Sequence, residues 1–160
     1  LLKPLLILCL GNEIISDDGF GPEVARRLMV NDYFSEQVEV IFAPVAGFKL
    51  LDLLTGRKKV LIVDTIRTGD APPGTLNNFS AGAFTPSYHL TTSHQINLPT
   101  VLELGRILGV DMPEVVDVVT VEAEDLETLS EELSPSVHQA VDGAISLIEE
   151  WISQNTVEEL

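Results

Sequence analysis

The sequence predicts an α/β fold, a mostly parallel sheet covered by helices on both faces. Three observations carry this. Short apolar runs alternate with stretches of helical periodicity along the whole chain. The first run, Leu5-Leu6-Ile7-Leu8-Cys9-Leu10, is apolar at every position, as a strand buried on both sides requires. The 160 residues are 45% hydrophobic and 21% charged, which suits one domain with a real core.

The elements follow in order. The first strand stops at Gly11-Asn12, and Ser16-Asp17-Asp18-Gly19 offers capping oxygens ahead of a helix over Pro22 to Val30. Val38 to Phe42 reads as a second strand. Phe48 to Leu54 has helical spacing and ends at Gly56. Val60 to Val63 is a third strand running straight into Asp64. A turn-rich stretch, Thr68 to Gly74, precedes an edge strand at Thr75 to Phe79. Residues 80–97 are polar and aperiodic, a length of loop that in a compact domain is usually functional or mobile. Leu98 to Leu108 is helical, Val115 to Val121 is a strand, and Ser134-Pro135 opens a last helix reaching Trp151. No linker or repeat divides the chain, so residues 1–160 are expected as a single domain with 152–160 as a frayed tail.

The formal net charge is −16, from 25 acidic and 9 basic residues. So acidic a surface repels phosphate backbones and anionic lipids, which argues against nucleic acid and membrane partners. A metal ion or a basic protein segment suits it better, although the charge would also serve solubility alone. The single cysteine, Cys9, excludes an internal disulfide, and its apolar strand makes a buried inert thiol the natural reading. The run at Leu5 to Leu10 is too short to span a bilayer and makes a poor signal peptide, so a cytoplasmic location is expected.

In an open parallel sheet, functional groups gather where strands end and helices begin. Asp18 follows the first strand, Asp64 ends the third, and His94 lies in the long loop before a helix. Two carboxylates and an imidazole are a mixed oxygen and nitrogen donor set, able to offset a divalent cation and leave positions open. Each residue also has a plainer role. Asp17 and Asp18 would serve as helix caps. Asp64 must be paired or solvated in a cleft. His94 would be an ordinary loop histidine, and spacing does not choose between it and His89. His138 belongs to the last helix as a surface or packing residue, and Glu122, Glu124 and Asp125 read as a solvated acidic turn. The chain lacks G-x-G-x-x-G, a P-loop, G-x-S-x-G, H-E-x-x-H and paired C-x-x-C motifs.

Four segments, in order, add what spacing cannot. Gly11-Asn12 followed by Asp17-Asp18-Gly19-Phe20-Gly21 resembles the G-N-x4-D-[DE]-G-x-G opening of the hydrogenase maturation endopeptidases. Leu61-Ile62-Val63-Asp64-Thr65 is similar to that family's strand ending in aspartate. Ser93-His94-Gln95-Ile96-Asn97-Leu98 resembles its H-Q-x-x-L segment, and Leu133-Ser134-Pro135 its closing L-S-P and helix. The resemblance implies a three-layer sandwich, a twisted sheet between helices with one antiparallel strand. It also implies an endopeptidase, aspartic-type or metal-assisted, that removes the C-terminal extension of a nickel–iron hydrogenase large-subunit precursor. By position it assigns Asp18, Asp64 and His94, rather than His89, as the metal-reading and catalytic residues. The nickel would come with the substrate rather than as a permanent cofactor, and a monomer would leave the substrate access. One stretch departs from the pattern: Phe42-Ala43-Pro44-Val45-Ala46-Gly47 stands where the family shows D-G-G-T-x-G, so the acid falls on Phe42 and only Gly47 is retained. A non-catalytic nickel- or hydrogenase-binding assembly factor is the alternative that this departure supports, and a generic metal-dependent hydrolase is a third.

Overall fold

The structure is a computed structural model, and it describes residues 2–31, 36–81 and 98–156. Five strands form one sheet in the order β2-β1-β3-β5-β4. They are β1 (Leu5–Leu10), β2 (Val38–Ala43), β3 (Lys59–Ile66), β4 (Leu76–Ser80) and β5 (Val115–Glu122). The helices are α1 (Phe20–Val30), α2 (Leu50–Leu54), α3 (Leu98–Ile107) and α4 (Pro135–Asn155). All strand pairs are parallel except β4 with β5, so the expected edge strand is the antiparallel one.

The apolar run of β1 is buried at all six positions because both faces of the sheet are covered. Alternate residues divide between two cores, as the two-residue period of a strand dictates. Leu5, Ile7 and Cys9 pack with Leu61, Val63 and the inner faces of α1 and α4. Leu6, Leu8 and Leu10 pack with Val60, Ile62, α2 and α3 on the other side. Fully burying each Leu or Ile stabilises the fold by about 1.5–3 kcal/mol, so β1 alone anchors both layers. At the start of the strands, Arg57 is buried, pairs with Glu39 at 2.6 Å and donates to the Lys3 carbonyl at 2.9 Å, tying β1 and β2 to the entry of β3.

Several expectations need correction. The Ser16–Gly19 segment is not a capping loop but a 3-10 turn, and neither it nor α1 has a side-chain cap hydrogen bond. The oxygens of Asp17 and Asp18 are drawn to other elements instead. Asp64 does not end β3, because pairing with β5 carries that strand two residues further, to Ile66. The last helix does not fray from residue 152 but continues through Asn155. Trp151 anchors it, donating from Nε1 to Asp117 at 2.9 Å, while Asn155 and Thr156 donate to the carbonyls of Trp151 and Ile152. No helix among the described residues is long and apolar enough to cross a membrane.

Candidate active site

Parallel strands leave β1 in two directions: α1 leads on one face to β2, and β3 lies on the opposite side of β1. The crevice at the ends of β1 and β3 is therefore the point where strand order reverses, the place where such sheets bind ligands. Asp18 and Asp64 both lie there.

Close packing of backbone builds the loop after β1. Gly11 has φ +146°, and a Cβ there would lie 2.1 Å from the Asp18 carbonyl oxygen. At Gly21 a Cβ would lie 2.1 Å from the Leu10 carbonyl oxygen. Both glycines let the first turn of α1 sit directly on the end of β1. Asn12 N–H then donates to the Asp18 carbonyl at 3.0 Å, closing the loop on itself. Gly19 differs, since the nearest atom its Cβ would meet is on Leu133, at an ordinary 3.6 Å.

The two neighbouring acids do different work. Asp17 is wholly buried and accepts four hydrogen bonds, from the Glu124, Asp125 and Ser134 backbone N–H groups at 2.9, 2.8 and 2.7 Å and from the Ser134 hydroxyl at 2.9 Å. It clasps the β1 loop to the β5 loop and to the start of α4. The bridge between Ile15 and Ser130 reinforces the same junction. Asp18 turns the other way, and its Oδ1 accepts from the Thr65 hydroxyl at 3.4 Å. Thr65 also donates its backbone N–H to Asp64 Oδ1 at 2.8 Å. One residue thus joins both carboxylates. The β1–β3 pairing stops at Cys9 and Val63, so the Asp64 carboxylate serves a backbone group beyond the last rung on that side. Asp18, Asp64 and Thr65 are 7%, 0% and 3% exposed, so these charges lie in a low-dielectric setting where a cation would be strongly attracted.

His94 and His89 both lie outside the described residues, between Ala81 and the start of α3 at Leu98. Among the described residues no group of three His, Cys, Asp or Glu side chains could hold a metal ion. His138 is exposed, on the rim of a groove with Glu13, Glu23, Glu131 and Glu132. The solvated acidic turn expected after β5 is mostly structural. Glu122 is buried and accepts from the Thr68 N–H, the Thr68 hydroxyl and the Gly69 N–H at 2.9, 2.9 and 2.8 Å. Asp125 is held down to about 2 by the Thr128 hydroxyl and by the Thr128 and Glu127 backbone N–H groups. Burial pushes the Cys9 thiol well up, as its reading as an inert core residue requires. Phe42 lies inside β2, paired with Cys9, and its ring packs against the α1/α4 core.

Two residues went unnoticed in the sequence. Thr65 had a signal, a hydroxyl directly after the strand aspartate. Thr120 is the other: it is 0% exposed, its hydroxyl has no hydrogen-bond partner among the described residues, and β-sheet register sets it beside Asp64. An orphaned buried hydroxyl costs about 1–3 kcal/mol. Its signal was a lone hydroxyl in the valine-rich run Val115 to Val121.

A family model described as hydrogenase maturation protease matches residues 22–151. The chain belongs to the hydrogenase maturation protease family. That match includes Asp64 and His94, while Asp18 lies just before it. Among its relatives is the hydrogenase 2 maturation protease of Escherichia coli, 26% identical over 158 residues that cover 96% of this chain and 93% of the relative. The hydrogenase expression/formation protein HupD of Thiocapsa roseopersicina is 25% identical over 153 residues, 94% of this chain and 68% of HupD. The fold is that of the E. coli hydrogenase maturating endopeptidase HybD, with a TM-score of 0.80, 26% identity, and coverage of 98% of this chain and 96% of that one. Family members are peptidases, and the mixed five-stranded sheet with four helices is the architecture they share with this chain.

Proposed function

We propose that this chain recognises nickel in the precursor of a nickel–iron hydrogenase large subunit and removes that precursor's C-terminal extension. The observation that supports the reading most is the convergence of Asp18 and Asp64 on Thr65 at the switch crevice, in a chain of this protease family. Two carboxylates offset the charge of a divalent cation. His94, assigned by the H-Q-x-x-L motif, adds a nitrogen donor from the segment entering α3. Three protein ligands leave coordination positions for groups of the precursor, so nickel arrives as part of the substrate and leaves with it. A mixed oxygen and nitrogen donor set of this kind suits a first-row divalent metal.

Hydrolysis needs water to add to the scissile carbonyl and a proton to reach the leaving amine. Within this reading two routes supply the activation. The substrate's metal polarises the carbonyl or the water. Alternatively the carboxylate of Asp18 or Asp64 takes the proton as general base, which would make the enzyme aspartic-type. Under either route Thr65 holds the two carboxylates in fixed relation, and the buried clasp of Asp17 keeps the loop bearing Asp18 against the rest of the fold. The charge of −16 favours a cationic target over nucleic acid or anionic membrane. A cytoplasmic monomer is part of the same proposal, since the crevice must admit a large folded substrate.

The test is the intact mass of the host's hydrogenase large subunit after deletion of this gene and its restoration as wild type or Asp64→Ala. The expected result is an uncut tail on deletion that only wild type removes. A tail cut in the deletion strain, with hydrogenase assembly still failing, would replace the protease with a non-catalytic assembly factor.

A further inference from the structure

The polar residues of β5 have assignable partners, with one exception. Asp117 accepts from Trp151, and Glu122 holds Thr68 and Gly69. Thr120, between Val119 and Val121, is wholly buried, and its hydroxyl has no partner among the described residues. Valine has nearly the same shape, carries no polar group to bury, and fills most of this strand. Folding alone therefore gives no reason for the hydroxyl.

Its position does. Asp64 and Thr120 are in-register partners on adjacent parallel strands. Such residues share a face about 4.8 Å apart. Strand parity agrees: Val60 and Ile62 on β3, with Val116 and Val118 on β5, form one core layer, and Asp64 and Thr120 continue it towards the crevice. The β1–β3 pairing has ended one residue earlier, at Val63. Thr120 is thus the side chain that the sheet ladder itself sets beside Asp64.

We propose that Thr120 is a positioning residue for Asp64, its hydroxyl donating to that carboxylate when the carboxylate turns onto the metal presented by the substrate. The inference rests on the reading of Asp64 as a metal-recognising residue. In the structure Asp64 Oδ1 accepts from its neighbour's backbone N–H at 2.8 Å. A carboxylate reorienting towards a cation loosens that bond, and a donor on the next strand fixes its new orientation. Partners that orient a metal ligand in this way typically contribute 10–100-fold to affinity or rate.

The experiment compares full-length wild type, Thr120→Val and Thr120→Ser on nickel-loaded precursor, measuring kcat, KM and thermal stability in the same preparations. Thr120→Val is expected to melt at or above the wild-type temperature yet lose about 10–100-fold in kcat/KM. Thr120→Ser, which keeps the hydroxyl and loses a buried methyl, is expected to melt lower yet keep kcat/KM within about threefold. A purely structural threonine would move stability and activity together. Wild-type kcat/KM in Thr120→Val overturns the proposal, and so does equal loss in Thr120→Ser, which would assign the effect to the methyl. Failure of wild type itself to cut the precursor would remove the underlying reading and this proposal with it, a result distinct from equal cutting by wild type and Thr120→Val.

Discussion

The Thr65 hydroxyl donates to the Asp18 carboxylate at 3.4 Å, linking β3 to the loop that follows β1. Because the Thr65 N–H also bonds Asp64, the two acids of the crevice share Thr65 as a donor. Asp17, one residue before Asp18, takes no part in this and is spent entirely on the junction with Ser134 and the β5 loop. Adjacent aspartates are thus separated into a structural member and a site member, and mutation should separate them too.

Asp17→Ala would leave three backbone N–H groups and the Ser134 hydroxyl without their acceptor. A loss of about 3 kcal/mol or more is expected in chemical denaturation. Asp18→Ala takes the acceptor from the Thr65 hydroxyl and should cost less, about 1–2 kcal/mol, while cleavage of the precursor is lost. Equal destabilisation by the two would contradict the division.

The glycines of the same loop divide in a similar way. Gly21→Ala forces a methyl to 2.1 Å from the Leu10 carbonyl oxygen, and Gly11→Ala meets the Asp18 carbonyl at the same distance with φ at +146°. Each should lower stability by about 3 kcal/mol or more, read from melting curves. Gly19→Ala adds only ordinary contacts with Leu133 and Glu13 and should remain within about 1 kcal/mol of wild type. If that folded variant still loses cleavage, Gly19 is kept bare for the substrate rather than for the fold.

Asp125 provides the pH dependence. Its carboxyl is held from 3.8 down to about 2 by the Thr128 hydroxyl and the Thr128 and Glu127 N–H groups. A carboxyl with a lowered pKa in the folded state stabilises the protein above pH 4 and loses that contribution as pH falls towards 2. Acid titration of wild type against Asp125→Asn should show a stability gap above pH 4 that closes between pH 4 and 2. A gap independent of pH would assign the effect to shape rather than charge.

Cys9 is fully buried and its thiol is pushed upward by burial. A thiol reagent should therefore label it only as fast as the protein unfolds, with full labelling in denaturant. Rapid labelling of the native chain would show that β1 opens locally.

The strands and helices were legible in the sequence because burial imposes periodicity. A strand covered on both faces, such as Leu5 to Leu10, must be apolar throughout, and an amphipathic helix such as α1 must space its buried residues by turns. Asp18 and Asp64 could likewise be placed at one edge from chain order alone, since parallel strands end together. Their partners were another matter. Asp17 bonds Ser134 across 117 positions and Asp18 meets Thr65 across 47, separations over which no local pattern specifies a contact. Sequence could not tell that Ser16–Gly19 uses its oxygens away from the helix, that Glu122 is buried around Thr68, or that Thr120 stands beside Asp64. Those follow from strand register and from which loop each carboxylate can reach, and both are set only when the sheet is assembled.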